Sequence, residues 1–289
     1  MLKIGAHRNE AGIWQAAWTQ TALTRIGIAS EMVFFEPQGD EFSAPGPDFH
    51  VHPDMDEALA RGTVQVTVHA LPSLPVETPE IFAIAALSGR NHPADLLVIR
   101  PEALDPARFL QLRSGAGIAL SSETRQLQLL EIRPDLKFQK AGGDPQDLLR
   151  QLHAGRLDAF VLAADPAGRP TPDLGGLPVV ELQVREFAPT PAQGVIACRT
   201  HRDDLPTRRI LKQIHHPDVS ACTNVERGLL QLLNPDTRPT LGAYCERDAG
   251  GNFHAFAVCL LQGVLRRAFL SQSTNAGLAA ALHKKMMAD

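Results

Sequence analysis

Residues 64–75 read Val-Gln-Val-Thr-Val-His-Ala-Leu-Pro-Ser-Leu-Pro. The valines at positions 64, 66 and 68 alternate with other residues, which predicts a β-strand with one buried face. Pro72 and Pro75 end the strand, because proline has no backbone N–H to donate to a neighbouring strand. In open α/β sheets, ligands are held just beyond the carboxyl ends of the strands. We therefore predict that the turn from His69 to Ser73 lies at the functional site.

Most of the chain around this strand alternates between short apolar runs and helical patterns. Strands alternating with helices of about ten to fifteen residues favour parallel sheets. Strands at residues 179–184 and 195–198 are predicted to return the chain from one α/β unit to the other. The remaining predicted strands are 2–6, 32–35, 95–99, 117–120, 136–139 and 158–162, and the predicted helices are 11–25, 54–61, 101–112, 121–132 and 145–155.

The pattern changes after residue 217. A helix at 219–233 is followed by three strand-like runs, at 241–246, 253–260 and 263–270, and by a last helix at 277–287. Short glycine-containing reversals between these strands favour antiparallel pairing. We therefore predict a separate small α+β domain at the C-terminal end.

Composition excludes several classes of function. The chain of 289 residues has 28 Lys and Arg against 32 Asp and Glu, so its net charge of −4 provides no basic surface for nucleic acid. Its four cysteines show no Cys-x-x-Cys spacing, which indicates reduced thiols rather than a zinc cluster or a disulfide framework. No segment approaches the ~18 apolar residues of a membrane span. We expect a cytoplasmic monomer of two or three domains.

Three local patterns could bind an anion. Arg8 lies in a turn before the first helix, Ser122 and Arg125 lie at the start of another helix, and Arg169 lies in a loop after a strand. The first turn of a helix adds unpaired N–H groups and the positive end of the helix dipole. Each pattern alone is weak evidence, because serine at a helix start usually serves only as a cap.

Two other chemistries are disfavoured. His50 and His52 could share one side of an extended segment, but zinc needs a third ligand that the sequence does not place. Ser73 and His69 lie in one turn, but Ser73 lacks the Gly-x-Ser-x-Gly context of a nucleophile. We expect no metal and no serine-hydrolase chemistry.

Several motifs in order resemble the porphobilinogen deaminase (hydroxymethylbilane synthase) family over nearly the whole chain. The principal matches are Ala6-His7-Arg8, Val68-His69-Ala70-Leu71-Pro72-Ser73-Leu74-Pro75 and Ser121-Ser122-Glu123-Thr124-Arg125-Gln126-Leu127-Gln128-Leu129; shorter ones are Arg133-Pro134-Asp135-Leu136, Leu157-Asp158-Ala159, Pro191-Ala192-Gln193-Gly194, Cys198-Arg199 and Glu226-Arg227. The resemblance implies two doubly wound, periplasmic-binding-protein-like α/β domains around a cleft, and a third domain with three antiparallel strands. The expected boundaries are 1–90 with 190–212, then 91–189, and then 213–289.

The resemblance also implies a chemistry. In this family a cysteine of the third domain holds a dipyrromethane cofactor, which porphobilinogen units elongate with loss of ammonia until a linear tetrapyrrole is released. An aspartate in the strand-end turn stabilises the positive charge that develops on the pyrroles. Arginines bind the acetate and propionate groups of the rings.

The sequence departs from the family at these functional positions. Ser73 stands where the aspartate belongs, and Thr237 stands where the cofactor cysteine belongs. Three arginine positions are occupied by Thr124, Ala141 and Asp147. The residues that remain to bind a ligand are Arg8, Ser122, Arg125, Arg169 and Gln193.

These departures predict weak or absent polymerisation. A hydrogen bond to a charged group contributes about 1.5–3 kcal/mol, so three missing arginines remove on the order of 5–9 kcal/mol if the contributions add. We expect a non-catalytic relative without dipyrromethane that binds a small anionic or pyrrolic ligand in the haem pathway. Two alternatives remain open: an active hydroxymethylbilane synthase with altered residues, and a small-anion binding module.

Overall fold

The computed structural model describes residues 1–36, 52–90, 92–141, 145–164, 173–233 and 240–288. These residues form three β-sheets with helices packed against them. The strands are β1 (Leu2–His7), β2 (Ser30–Phe35), β3 (Val66–Ala70), β4 (Phe82–Leu87), β5 (Asp95–Ile99), β6 (Gly117–Leu120), β7 (Lys137–Lys140), β8 (Ala159–Ala163), β9 (Val179–Leu182), β10 (Ile196–His201), β11 (Leu241–Arg247), β12 (Phe253–Leu261) and β13 (Val264–Gln272). The helices are α1 (Glu10–Arg25), α2 (Pro53–Ala60), α3 (Glu123–Ile132), α4 (Pro145–His153), α5 (Leu205–Leu211), α6 (Pro217–Leu232) and α7 (Leu278–Ala288).

The first sheet has the strand order β2-β1-β3-β10-β4. Its central strands bury alternate apolar side chains, and Ile4, Val66 and Val68 are fully buried. Helix α1 packs against this face through residues such as Leu23. The side chain of Asn9 accepts a hydrogen bond from Gly12 N at 2.7 Å and so fixes where α1 begins.

The second sheet has the strand order β7-β6-β8-β5-β9. One face packs a core that includes Leu97, Ile118 and Leu129 of α3. The other face is covered by α4, which contributes Leu149 and Leu152 to a second apolar cluster. Both faces are therefore covered, as expected for the apolar runs that form its central strands.

Both sheets are mixed rather than fully parallel, which corrects one expectation from the sequence. β10 is antiparallel to β3 and β4, and β5 is antiparallel to β8 and β9. The chain leaves the first sheet after β4 to form β5, and it returns from β9 to form β10. Each of these two strands enters its sheet from the end opposite to the one at which a local βαβ connection would begin a strand, so it runs antiparallel to its neighbours. The predicted return of the chain is confirmed, although β9 belongs to the second sheet and β10 to the first.

The third sheet is antiparallel in the order β11-β12-β13. Helices α6 and α7 cover one face, and their Leu229 and Leu282 pack against Ala243 and Ala257 of the strands. The predicted fold class is confirmed: two α/β units and a small α+β unit with three antiparallel strands. None of the described helices combines the length and apolar character needed to cross a bilayer.

Candidate functional site

Ser73 lies in the turn that the alternating valines predicted. A single 3₁₀ turn, Leu71–Ser73, follows β3 directly. Leu71 and Leu74 are buried, and Ser73 between them is half-buried. The backbone N–H of Leu71 donates to Val195 O at 2.8 Å, which ties the turn to the segment that leads into β10. The turn is therefore fixed at the carboxyl end of β3.

Arg227 of α6 holds the same turn from the other side. Its Nη1 donates to Leu71 O at 3.0 Å and to Leu74 O at 2.9 Å, and its Nη2 donates to Pro75 O at 2.7 Å. Burial lowers the pKa of Arg227 to about 10, so the guanidinium remains charged at neutral pH. Sequence reasoning matched Glu226-Arg227 to the family but assigned neither residue a role. The spacing along the chain gives no signal for these contacts.

Three histidines meet beside the turn. The ring of His7, at the end of β1, lies 6.3 Å from the ring of His69 and 5.3 Å from the ring of His52, measured between centroids. His69 is buried, and its Nε2 is 3.0 Å from Thr67 Oγ1. Burial, and after it the nearby His7, lower the pKa of His69 to about 3, so its imidazole is neutral at physiological pH.

The histidine pair that the sequence analysis disfavoured as a zinc site can be followed only in part. His50 lies outside the described residues, and His52 Nε2 donates to Glu36 O at 2.7 Å. Within the ranges that the structure describes, no three His, Cys, Asp or Glu side chains are grouped so that they could hold a metal ion.

Arg125 survives from the family pattern, but it is paired within the protein. Its Nε donates to Asp95 Oδ2 at 2.9 Å and its Nη2 donates to Asp95 Oδ1 at 2.7 Å. Asp95 is fully buried, and the Arg125 side chain is 13% exposed. The backbone N–H of Arg125 also donates to Ser122 Oγ at 3.4 Å, the cap that begins α3.

Gln193 joins this pair. Its Nε2 donates to Asp95 Oδ1 at 2.9 Å and to the backbone oxygens of Pro93 and Ala94 at 2.9 and 3.2 Å. Its Oε1 accepts from Arg125 Nη2 at 3.4 Å. The structure therefore brings Arg125 and Gln193 together around Asp95. Sequence reasoning missed Asp95. The feature that could have revealed it is an acidic residue at the first position of a strand whose other residues are apolar.

The other predicted ligand-binding residues are less closely engaged or not described. Arg8 follows β1, its Nε lies 3.0 Å from Glu36 Oε1, and more than half of its side chain is exposed. Arg169 and Thr237 lie outside the described residues. Thr240, which follows the undescribed segment containing Thr237, donates to Glu123 Oε2 of α3 at 2.9 Å.

A second buried charge joins the third unit to the first. Glu226 of α6 is 1% exposed and receives Arg90 Nη1 at 2.6 Å and Nη2 at 3.2 Å. Its oxygens also accept from the backbone N–H groups of Ala192 at 2.6 Å and of Cys245 at 2.7 Å. Glu226 thus connects the crossing after β4, the return segment before β10 and strand β11.

Comparison with solved structures finds periplasmic binding proteins. A periplasmic sulfonate-binding protein from Methylobacillus flagellatus shares 16% sequence identity with a TM-score of 0.42, over 78% of this chain and 66% of that chain. An ancestral cationic amino acid solute-binding protein shares 15% identity with a TM-score of 0.42, over 74% of this chain and 87% of that chain.

A family model described as "Porphobilinogen deaminase, dipyromethane cofactor binding domain" matches residues 2–209. This match overturns the expectation of a protein without a cofactor. The substitution at position 237 had suggested that no dipyrromethane is present, but residues 2–209 match the domain that binds it, so a cofactor is expected for the family. The expectation was wrong because it relied on the single residue that attaches the dipyrromethane and not on the domain that surrounds it.

Curated relatives agree with the family model. Porphobilinogen deaminase from Trichlorobacter lovleyi is 32% identical over 253 residues, which is 84% of this chain and 78% of that protein. Porphobilinogen deaminase from Geobacter sulfurreducens is 30% identical over 239 residues, which is 79% of this chain and 72% of that protein. The motifs at the strand-end turn and at the start of α3 lie within residues 2–209, the part that the family model covers. The chain therefore belongs to the porphobilinogen deaminase family.

Proposed function

We propose that this member of the porphobilinogen deaminase family binds pyrrole carboxylates in its cleft and polymerises porphobilinogen only weakly. The observation that carries the proposal is Ser73 in the turn after β3, at the position where the resemblance places the family aspartate. A neutral hydroxyl cannot offset the positive charge that develops on a pyrrole. Loss of such a charge partner typically slows a reaction by about 10² to 10³-fold.

Thr237 adds a second defect to the proposal. Its hydroxyl is a poor nucleophile unless a base lies beside it, and it cannot form the thioether that the family cysteine forms. We propose that the dipyrromethane expected for the family is held here without that bond. The holding groups would be the predicted residues Arg8, Ser122, Arg125, Arg169 and Gln193.

The described residues fit a dipyrromethane only incompletely. Arg125 and Gln193 already donate hydrogen bonds to Asp95, and Gln193 also donates to backbone oxygens. Arg8 is exposed beside Glu36. Ser122 and the first N–H groups of α3 could receive a carboxylate, since a helix start favours negative charge. Because this set falls short of a complete carboxylate site, we derive no catalytic step through the cofactor.

The order of strands in the three sheets supports the division proposed from the sequence. We place the first α/β domain at residues 1–90 with 190–212, the second at 91–189 and the third at 213–289. Strands β1 to β4 and β10 share one sheet, β5 to β9 share another, and β11 to β13 form the third. We place the cleft at the carboxyl ends of the parallel strands of the first two sheets.

Restoring the carboxylate tests the proposal. Purified protein is incubated with porphobilinogen, the product is oxidised, and uroporphyrin is measured; bound dipyrromethane is quantified in the same samples with Ehrlich's reagent. We expect turnover at least about 100-fold below that of the Trichlorobacter lovleyi relative. Ser73→Asp should raise it, and the matched Ser73→Ala variant should not. Wild-type turnover equal to that of the relative would contradict the proposal.

A further inference from the structure

Asp95 lies at the edge of the second sheet that faces the cleft. It is the first residue of β5 and is paired with Ala163, the last residue of the antiparallel strand β8. β6 runs parallel to β8, so the start of α3, which follows β6, lies at the same edge. Gln193 precedes β10, whose Ile196 pairs with Ala70 at the carboxyl end of β3. Asp95 therefore sits where the carboxyl ends of the two sheets approach each other.

The contacts of Asp95 are those that a ligand carboxylate would make. Arg125 donates Nε and Nη2 to its two oxygens at 2.9 and 2.7 Å, which is the bidentate geometry of arginine with a carboxylate. Gln193 donates to one of these oxygens at 2.9 Å. An acid group on a ligand must displace Asp95 from Arg125 or accept the repulsion of its charge.

We infer that Asp95 is an internal counter-ion that lowers the affinity of the cleft for pyrrole carboxylates and so determines its specificity. The inference rests on the proposed function, because it assigns the pyrrole ligand to this site. Its direction is opposite to the usual result for a charged residue in a binding cleft: removing the charge of Asp95 strengthens ligand binding.

Asp95→Asn is the variant that isolates the charge. The asparagine keeps the shape of the side chain and an oxygen that can accept from Gln193 Nε2, and it leaves Arg125 charged without a carboxylate partner. We expect the Kd for porphobilinogen, measured by calorimetry at low ionic strength, to fall by about tenfold or more. The gain should shrink in about 0.5 M salt, where the charge of Arg125 is screened.

Asp158→Asn is the matched control. Asp158 receives Arg100 Nη2 at 2.8 Å, Arg113 Nη2 at 2.9 Å and Gly117 N at 2.9 Å. It is a partly buried carboxylate held by arginines, but it directly precedes β8 and lies beside Gly117, the first residue of β6, at the end of the sheet away from the cleft. Asp158→Asn should leave the Kd for porphobilinogen within about twofold of the wild-type value, since it adds no charge to the cleft.

The double variant Asp95→Asn/Arg125→Gln guards against misfolding of the single one. It replaces a buried ion pair with two neutral side chains, a change that is often tolerated. We expect it to lose the gain of Asp95→Asn, with a Kd for porphobilinogen at least about tenfold above that of the single variant, because the guanidinium that supplies the gain is gone. A double variant that binds porphobilinogen as tightly as Asp95→Asn would show that the gain does not come from Arg125 and would overturn the inference.

A second probe, phthalate, separates the inference from the proposed function. Tighter phthalate binding by Asp95→Asn without tighter porphobilinogen binding supports the role of Asp95 and contradicts the pyrrole ligand. No gain with either probe, in a variant that melts within a few degrees of the wild type, overturns the inference whether or not the wild type binds porphobilinogen.

Discussion

His69 shows most directly how position sets the chemistry of a side chain. The sequence placed His69 in the turn expected at the functional site, and in the structure its ring is buried against Thr67 and faces His7. Burial disfavours the charged form of an imidazole, and a second imidazole nearby disfavours it further. Its pKa of about 3 makes it a neutral hydrogen-bonding group at physiological pH.

The low pKa of His69 predicts a loss of stability in acid. The ordinary pKa is 6.5 and the folded value is about 3, so between these values the unfolded chain binds a proton that the folded protein does not. The neutral His69 therefore costs no stability above pH 6.5. As the pH falls from 6.5 toward 3, the free energy of unfolding decreases by up to about 1.4 kcal/mol per pH unit. Urea denaturation of the wild type and His69→Gln between pH 7 and pH 4 measures this slope. The variant should have the shallower slope, and equal slopes would contradict the assignment.

At the scale of one residue, the sequence predicted where a side chain lies in the fold better than which side chains it contacts. Ser73 lies in the turn where the valine alternation placed it, because a strand followed by two prolines leaves few conformations open. Arg125 was predicted to bind a ligand, yet it binds Asp95, which lies 30 residues earlier in the chain. Such a pairing depends on where β5 and α3 meet in space, and no local pattern encodes it.

Helix α1 shows how closely one element is fitted to its neighbour. Its first turn lies against the end of β1, and a Cβ added at Gly12 would overlap the backbone oxygen of His7. The backbone of a strand cannot shift as a side chain can. Glycine at position 12 therefore allows α1 to approach the strand that carries His7.

Gly12→Ala should destabilise the protein, although alanine ordinarily favours a helix. We expect a cost of about 1–3 kcal/mol from the forced separation of α1 and β1, in the range of overpacked cores. The matched helical variant is Gly228→Ala in α6, whose added Cβ would lie 3.1 Å from the Cβ of Ala279, a side-chain atom of α7. Chemical denaturation should give Gly228→Ala the smaller cost, and the reverse order would contradict this account of Gly12.

Elements with strong local patterns were predicted well, and the segment held by a distant side chain was not. Helix α6 and strands β11 to β13 lie where the sequence placed them. The helix predicted at residues 101–112 is instead two 3₁₀ turns, with Leu110 at φ +63°. Arg133 Nη1 donates to Phe109 O at 2.7 Å and to Leu112 O at 3.1 Å, which stabilises this irregular backbone from outside the segment.

At the scale of the whole molecule, buried charge joins the units in pairs: Asp95 of the second unit accepts from Gln193 of the first, and Glu226 of the third pairs with Arg90 of the first. Sequence patterns predicted the units because the first two alternate strands with helices and the third changes to three consecutive strands between two helices. They did not predict the junction at Glu226, where groups from residues 90, 192 and 245 meet. A junction of this kind is specified by chain segments that are far apart in sequence.

Glu226→Gln should weaken the whole assembly. The amide leaves Arg90 without a buried counter-charge, and removing one partner of a buried pair typically costs about 3–5 kcal/mol. The control is Glu131→Gln, because Glu131 pairs with Arg267 near the surface and exposed pairs contribute about 0–1 kcal/mol. Urea denaturation followed by circular dichroism compares the two. Equal losses of stability would mean that Glu226 does not carry the junction.

Arg227 also determines the order in which the cleft can be completed. The carbonyls that it binds precede it by 152 to 156 residues. During synthesis, the turn after β3 therefore emerges well before the side chain that holds it, and contacts between such distant residues form slowly because a long loop must close first. The first two sheets can form while this turn still lacks its contacts with Arg227. We therefore expect α6 to dock after the first two sheets have formed and to complete the contacts of this turn.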